Sequence, residues 1–222
     1  MTAPTVITRT YDLSLPPDER MILRYAGMRE RHPRVDALLQ KTLRDVRGRL
    51  VNRVCYCELP LHRDGDTLDL GFAKTESADL AKRLDGCERI VLFAATVGGG
   101  IDRLIARYSV DSPAQALLCQ AIGTESVELL CNIFCEELAA EAASRGEVTR
   151  TRFSPGYGDL PLALQRDIFA LLDCPRRIGL SLSESLLMTP TKSVTAIVGI
   201  ANGGVRVLPN QSLIKQPIGE KQ

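Results

Sequence analysis

From about Pro113 to Ala143 the sequence holds one long helical pattern, and no other segment constrains the fold as much. Asp111 or Ser112 can cap it, and Pro113 suits its first turn. Leu118, Ile122, Leu129 and Ile133 mark one face, and Val127, Leu130, Phe134 and Leu138 another. The helix is apolar around much of its girth, and 45% hydrophobic residues in a chain of 222 make a substantial core available. A further stripe carries Thr124, Glu128 and Asn132, spaced four apart, with Cys131 beside them. Glu128 reads in two ways: part of a solvent stripe, or a buried carboxylate that needs an arginine or a ligand ammonium as partner.

The other elements arrange themselves around this helix. The first 15 residues read as an extended arm, residues 16–209 as a single domain, and 210–222 as a loose tail. Pro16-Pro17-Asp18-Glu19 opens a helix, since proline and acids suit its first turn. A second helix is expected from about Arg34 to Leu50, with Val35, Leu38, Leu39, Leu43, Val46 and Leu50 on its buried face. Strands are expected on both sides of Arg63-Asp64-Gly65-Asp66, a hairpin signal, with the run from Arg53 to Leu59 as the first. A short helix follows near Ser77–Leu84, then the apolar strand Ile90–Val97, a helix at about Ile101–Tyr108 and another at about Leu162–Leu172. Ile178–Leu182 and Ser193–Ile200 read as the last strands. Strand and helix mix without strict alternation, so the expected class is α+β: a mostly antiparallel twisted sheet packed with helices, one of them long.

Charge and cysteine usage exclude several functions. With 28 basic and 27 acidic residues, the chain has no general attraction to nucleic acid or to an anionic membrane. The local basic cluster from Arg29 to Arg53 reads as the solvated face of a helix. No signal peptide and no unbroken apolar run of about 18 residues is present. Seven cysteines without a disulfide-like spacing suit a reduced, cytoplasmic protein. Cys55 and Cys57 share a strand face, but a tetrahedral metal needs four ligands and no second close pair exists. His32 and His62 support neither a metal site nor a catalytic triad.

Two glycine-rich segments invite a ligand. Val97-Gly98-Gly99-Gly100-Ile101 joins strand to helix as phosphate sites do, yet Arg103 stands where a third fingerprint glycine belongs, and a tight strand-to-helix turn explains the glycines without a ligand. Thr151–Pro161 is the second. Pro155 fixes its own φ, and Gly156 and Gly158 permit conformations that bring backbone close to a ligand. Arg152 can offer a fork to a carboxylate, and Tyr157 a ring face to a cation. The residues alone leave a ligand grip and a structured loop both open.

Arg152-Phe153-Ser154-Pro155-Gly156-Tyr157 resembles the Arg-x-x-Pro-Gly-Tyr motif of the activation (reactivation) domain of cobalamin-dependent methionine synthase. Leu182–Pro190 with Ser193-Val194, and Gln120–Glu128 upstream, resemble that family's other segments. The resemblance implies S-adenosylmethionine as ligand, held by Arg152 at its carboxylate, by Phe153 through backbone contacts, by Tyr157 and Glu128, and by the Pro155-Gly156 turn. It implies no catalytic residue and no metal on this chain. The cobalamin belongs to a separate methionine synthase partner, which an electron donor such as a flavodoxin-type protein reduces before remethylation. With no room for the other modules, the expectation is a stand-alone activation subunit, silent by itself. The alternatives are an assembly protein that has lost the cofactor, or service to another corrinoid methyltransferase. Gly158-Asp159-Leu160-Pro161 departs from the family's Pro-Ala-Cys-Pro, and Glu147 is the nearest match to a second acid expected before the arginine.

Overall fold

The computed structural model describes residues 4–12, 17–28 and 31–203. Strand β1 (Ile7–Tyr11) is followed by helices α1 (Glu19–Tyr25) and α2 (Pro33–Val46) and by β2 (Asn52–Pro60). Asp18 starts α1 by accepting from the Arg20 N–H, and the His32 ring nitrogen does the same for α2. Next come β3 (His62–Asp64), β4 (Thr67–Asp69), β5 (Lys74–Thr75), α3 (Ala78–Arg83) and β6 (Cys87–Thr96). α4 (Gly100–Asp111) and α5 (Pro113–Ala143) precede β7 (Glu147–Thr149). A 3-10 turn at Leu162–Leu164 runs into α6 (Gln165–Leu172), and α7 (Cys174–Ile178), β8 (Ser181–Leu182), β9 (Met188–Thr189) and β10 (Ser193–Asn202) complete the order.

The long helix occupies the expected span and the class is α+β. The main sheet is curled, five-stranded and antiparallel, in the order β1-β2-β6-β10-β7. Its two faces feed two cores, which is why its central strands are apolar at successive positions. Val54, Tyr56, Val91, Phe93, Ala196 and Val198 face α1, α2, α4 and α5. Cys55, Cys57, Leu92, Ala94 and Ile197 face α3, α6 and α7. On the α5 face, Phe134 packs its ring 5.0 Å from Tyr56 and 4.9 Å from Phe93, centroid to centroid. By length and mean hydropathy (1.2) alone α5 could cross a bilayer, but 61% of that window is buried in this fold, as a core helix requires. Edge strand β1 is tied to α5 by Arg9, which bonds Glu137 and Glu141, and by the Tyr11 hydroxyl on Glu137.

Three local expectations are corrected. The run from Arg53 to Leu59 is not half of the hairpin; it lies in the main sheet between β1 and β6, while the Asp64-Gly65 turn joins β3 to β4 in a separate three-stranded sheet. Helix α2 stops at Val46 rather than Leu50, and Gly48 follows with a φ of 74°. Ile178–Leu182 is not a strand. Pro175 opens α7, and Gly179, at a φ of 69°, closes it by donating to the Pro175 carbonyl while Leu180 donates to Cys174. Only Ser181–Leu182 then pairs, with Met188–Thr189. The tail beyond Pro209 lies outside the described residues.

Candidate functional site

Helix α5 and the segment after β7 converge on one cluster. From β7 the chain continues along the edge of β10, but the register slips: Thr149 opposes Ile200, whereas Phe153 opposes Ile197. One extra residue is therefore accommodated between them, as in a β-bulge, a device that re-aims side chains at sheet edges. Phe153 turns to the α3/α6 core, and the Arg152 side chain reaches the polar stripe of α5 on the other side. Arg152 donates through one terminal nitrogen to the Asn132 Oδ1 at 2.7 Å and through the other to the Glu128 Oε2 at 2.5 Å. The Arg152 and Glu128 side chains are 21% and 38% exposed, so the pair is neither fully solvated nor sealed off. Both readings of Glu128 are thus half met: it lies on a partly solvated stripe, and its partner is an arginine.

The surroundings stiffen this cluster and lower its polarity. Cys131 is fully buried, and burial pushes its thiol, like that of the neighbouring Cys135, above the ordinary range, so both stay neutral beneath Arg152. Burial also raises the Glu125 carboxyl and the Tyr25 hydroxyl, with Glu128 adding to each. Tyr25, from α1, brings an aromatic group to the neighbourhood; only its spatial proximity reveals this. One turn before Glu128, the Thr124 hydroxyl accepts from the Lys192 ammonium at 3.1 Å. The stripe therefore carries a row of charges: Lys192 at Thr124, then Glu128, then Arg152.

The Pro155–Leu160 turn is anchored at its far end. The Gly156 N–H donates to Leu160 and the Leu160 N–H to Tyr157, while Pro155 and Leu160 are buried. Tyr157 is 58% exposed, and no hydrogen bond links it to the Arg152 cluster. Phe153 has both backbone groups committed, its N–H to Ile197 and its C=O to the Ile197 N–H. The carbonyl's second lone pair is what remains for a ligand. Asp159 caps α3 from outside: it accepts from the Ser77 hydroxyl, from the Ala78 N–H at 2.6 Å and from the Asp79 N–H at 3.3 Å. Its departure from the family pattern thus serves a helix end. Glu147 is held by Arg89 and by Arg145, not by the cluster around Arg152.

The other sequence candidates find structural explanations. The missing Cβ of Gly100 would lie 2.0 Å from the Arg49 carbonyl oxygen, so that glycine turn is filled by the protein's own backbone. Cys55 faces Cys174 in the lower core at 4.0 Å between sulfurs. Among the described residues no three of His, Cys, Asp and Glu converge as a metal site would require. Two shallow concavities beside the hairpin, around Glu76, are lined by neither Arg152 nor Glu128. The candidate site is a partly exposed row on α5, not a cavity.

Comparison with known proteins bears on this geometry. A search of curated proteins finds no match. A solved structure, the MetH reactivation domain bound to S-adenosylhomocysteine (AdoHcy), superposes with a TM-score of 0.62 at 17% identity. That alignment covers 92% of this chain and 81% of the other; at such identity the likeness is one of fold. The family described as "Vitamin B12 dependent methionine synthase, activation domain" matches residues 77–203, which is more than half of the chain and includes Glu128, Arg152, Tyr157 and Lys192. The chain belongs to the activation-domain family of vitamin B12 dependent methionine synthases.

Proposed function

We propose that this chain binds S-adenosylmethionine at the α5 row and so supports reductive remethylation of the cobalamin carried by a methionine synthase module. The observation that carries the reading is the half-exposed Glu128–Arg152–Asn132 cluster beside the Pro155–Tyr157 turn. An amino-acid head group presents an ammonium and a carboxylate on one carbon. Glu128 suits the ammonium, the flanking cations suit the carboxylate, and the exposed ring of Tyr157 suits a cationic sulfonium. When bound, S-adenosylmethionine supplies an activated methyl group. The protein's part is to fix the head group and present the methyl to the partner's cobalt; the low-polarity floor of Cys131 strengthens the charged contacts. The family's cobalamin-bearing module is the natural partner, and reduction of its cobalt needs an external electron donor of the flavodoxin type.

One observation favours a second reading, that of a docking protein without the cofactor: both terminal nitrogens of Arg152 are already engaged. Calorimetry with wild type and Arg152→Ala separates the two. Cofactor binding predicts a loss on the order of tenfold or more on removing Arg152, as expected for hydrogen bonds to charged groups. Absence of binding to wild type at millimolar ligand overturns the proposal, and partner reactivation untouched by Arg152→Ala favours the docking protein.

A further inference from the structure

The core on the α3/α6/α7 side of the main sheet holds a sulfur pair that the α5 row does not use. Cys55 of β2 and Cys174 at the start of α7 are 119 positions apart in sequence, yet their sulfurs lie 4.0 Å apart. Both residues are fully buried. Arg177, one turn further along α7, buries its Nε without a hydrogen-bond partner, and its charge bears on Cys55. The Cys174 S–H donates to the Cys55 sulfur, which holds the Cys55 thiol below the ordinary range; burial opposes this and Arg177 adds to it. The same contact, together with burial, raises the Cys174 thiol. Cys57, on the same strand face, lacks these partners: burial, with Cys55 adding, pushes its thiol up to about 11. One sulfur of the pair is thus prepared as the nucleophile and the other keeps its proton.

Only a short element covers the pair. Helix α7 has five residues, Pro175 and Arg176 on it are exposed, and left-handed residues bound it, Asp173 at a φ of 48° and Gly179 at 69°. A disulfide spans about 2 Å, so each sulfur needs to move by about 1 Å, which side-chain rotation supplies. We propose that Cys55 and Cys174 form a peroxide-reactive thiol pair whose reversible disulfide ties α7, and with it β8, to the main sheet. The Cys55 thiolate attacks one oxygen of hydrogen peroxide and breaks the O–O bond. The departing hydroxide takes up the proton that Cys55 gave up and leaves as water, and Cys55 becomes a sulfenic acid. The Cys174 sulfur then displaces that hydroxyl, which leaves with the Cys174 proton as a second water, and the S–S bond forms. The two thiols lose two electrons and two protons, and one peroxide is reduced to two waters. A dithiol reverses the reaction by exchange.

The test is unreduced peptide mapping of the full chain after brief treatment of the folded protein with dilute hydrogen peroxide, and again after dithiothreitol. The expected product is a link within one molecule between the peptides bearing Cys55 and Cys174, removed by the dithiol. Cys57 shares a tryptic peptide with Cys55, so Cys57→Ala is mapped beside wild type and should form the same link. In Cys174→Ser, dimedone should trap a sulfenic acid on Cys55; in Cys55→Ser, Cys174 should stay unlabelled. Oxidised wild type should melt several degrees above the reduced chain, because the link constrains a span of 119 residues in the unfolded state. Peroxide that leaves both thiols free in the folded chain, that links Cys57 instead, or that links the pair only after denaturation overturns the proposal. So does a linked chain that melts no higher than the reduced one, since α7 is then not held. The wild-type map decides the matter even where a serine variant fails to fold.

Discussion

The two glycine-rich turns of this chain, Gly98–Gly100 and Gly156–Gly158, both raise the question of a ligand cradle in sequence, and the structure separates them by what already lies against them. At Gly100 the place of a Cβ is filled by the Arg49 carbonyl oxygen at 2.0 Å, and at Gly98 by the Val51 side chain at 3.1 Å. Those glycines let the segment before β2 pack onto the start of α4. At Gly156 the nearest neighbour is the tip of the Leu162 side chain at 3.0 Å, and both Gly156 and Gly158 are exposed. The first turn is closed by its own protein. The second is pinned at one end by Asp159 and Leu160, and its other end leads back to Arg152 and the charged row. Glycine content alone does not separate the two turns; whether backbone or only the ends of side chains stand where a Cβ would be does.

Substitution at these glycines should rank in the same order. Gly100→Ala forces a Cβ into a buried backbone carbonyl that has no rotamer to escape by, and should cost about 3 kcal/mol or more. Urea denaturation measures it; a loss below about 1 kcal/mol would show that the Arg49 segment yields. Gly158→Ala comes next. Its φ of 54° disfavours a side chain, and the new Cβ would lie 2.1 Å from an Asp79 carboxylate oxygen. Because that carboxylate can rotate away, about 2 kcal/mol is expected. Gly156→Ala, at a φ of 89° against a flexible leucine tip, should cost about 1 kcal/mol. Near-equal losses at Gly100 and Gly156 would break the distinction between the two turns.

The contrast also shows what sequence could and could not reveal. The span of α5 was legible because its cap, proline and apolar faces agree, and the stripe of Thr124, Glu128 and Asn132 was legible because helical spacing is local. The partner of Glu128 was beyond local spacing: Arg152 is 24 residues away and arrives through a one-residue register slip that leaves no compositional mark. The hairpin reading of Arg53–Leu59 failed for a related reason. A strand buried on both faces and one ending at a nearby turn read alike until their pairings are known. The strand assigned to Ile178–Leu182 failed because Gly179 ends a short helix there, a turn chemistry that apolar alternation hides. The role of Asp159 needed the fold outright, since the helix it caps begins 81 residues earlier.

That cap offers the smallest and most selective test of the closed end of the second turn. The Asp159 carboxyl is held below its ordinary range, first by the Ser77 hydroxyl and then by the Ala78 and Asp79 N–H groups, with burial opposing. A carboxylate whose folded pKa is depressed contributes stability above its unfolded pKa of about 4, and that contribution is lost as pH falls through the lower folded value. Asp159→Asn keeps one acceptor oxygen and removes the charge. The variant should melt slightly below wild type at pH 7, and the gap should close as the pH is lowered well below about 4, where wild type loses the same charge. Thermal melts at the two pH values read this directly. A gap that persists unchanged in acid would mean that the carboxylate charge adds nothing to the capping of α3, and that Leu160 alone pins the turn.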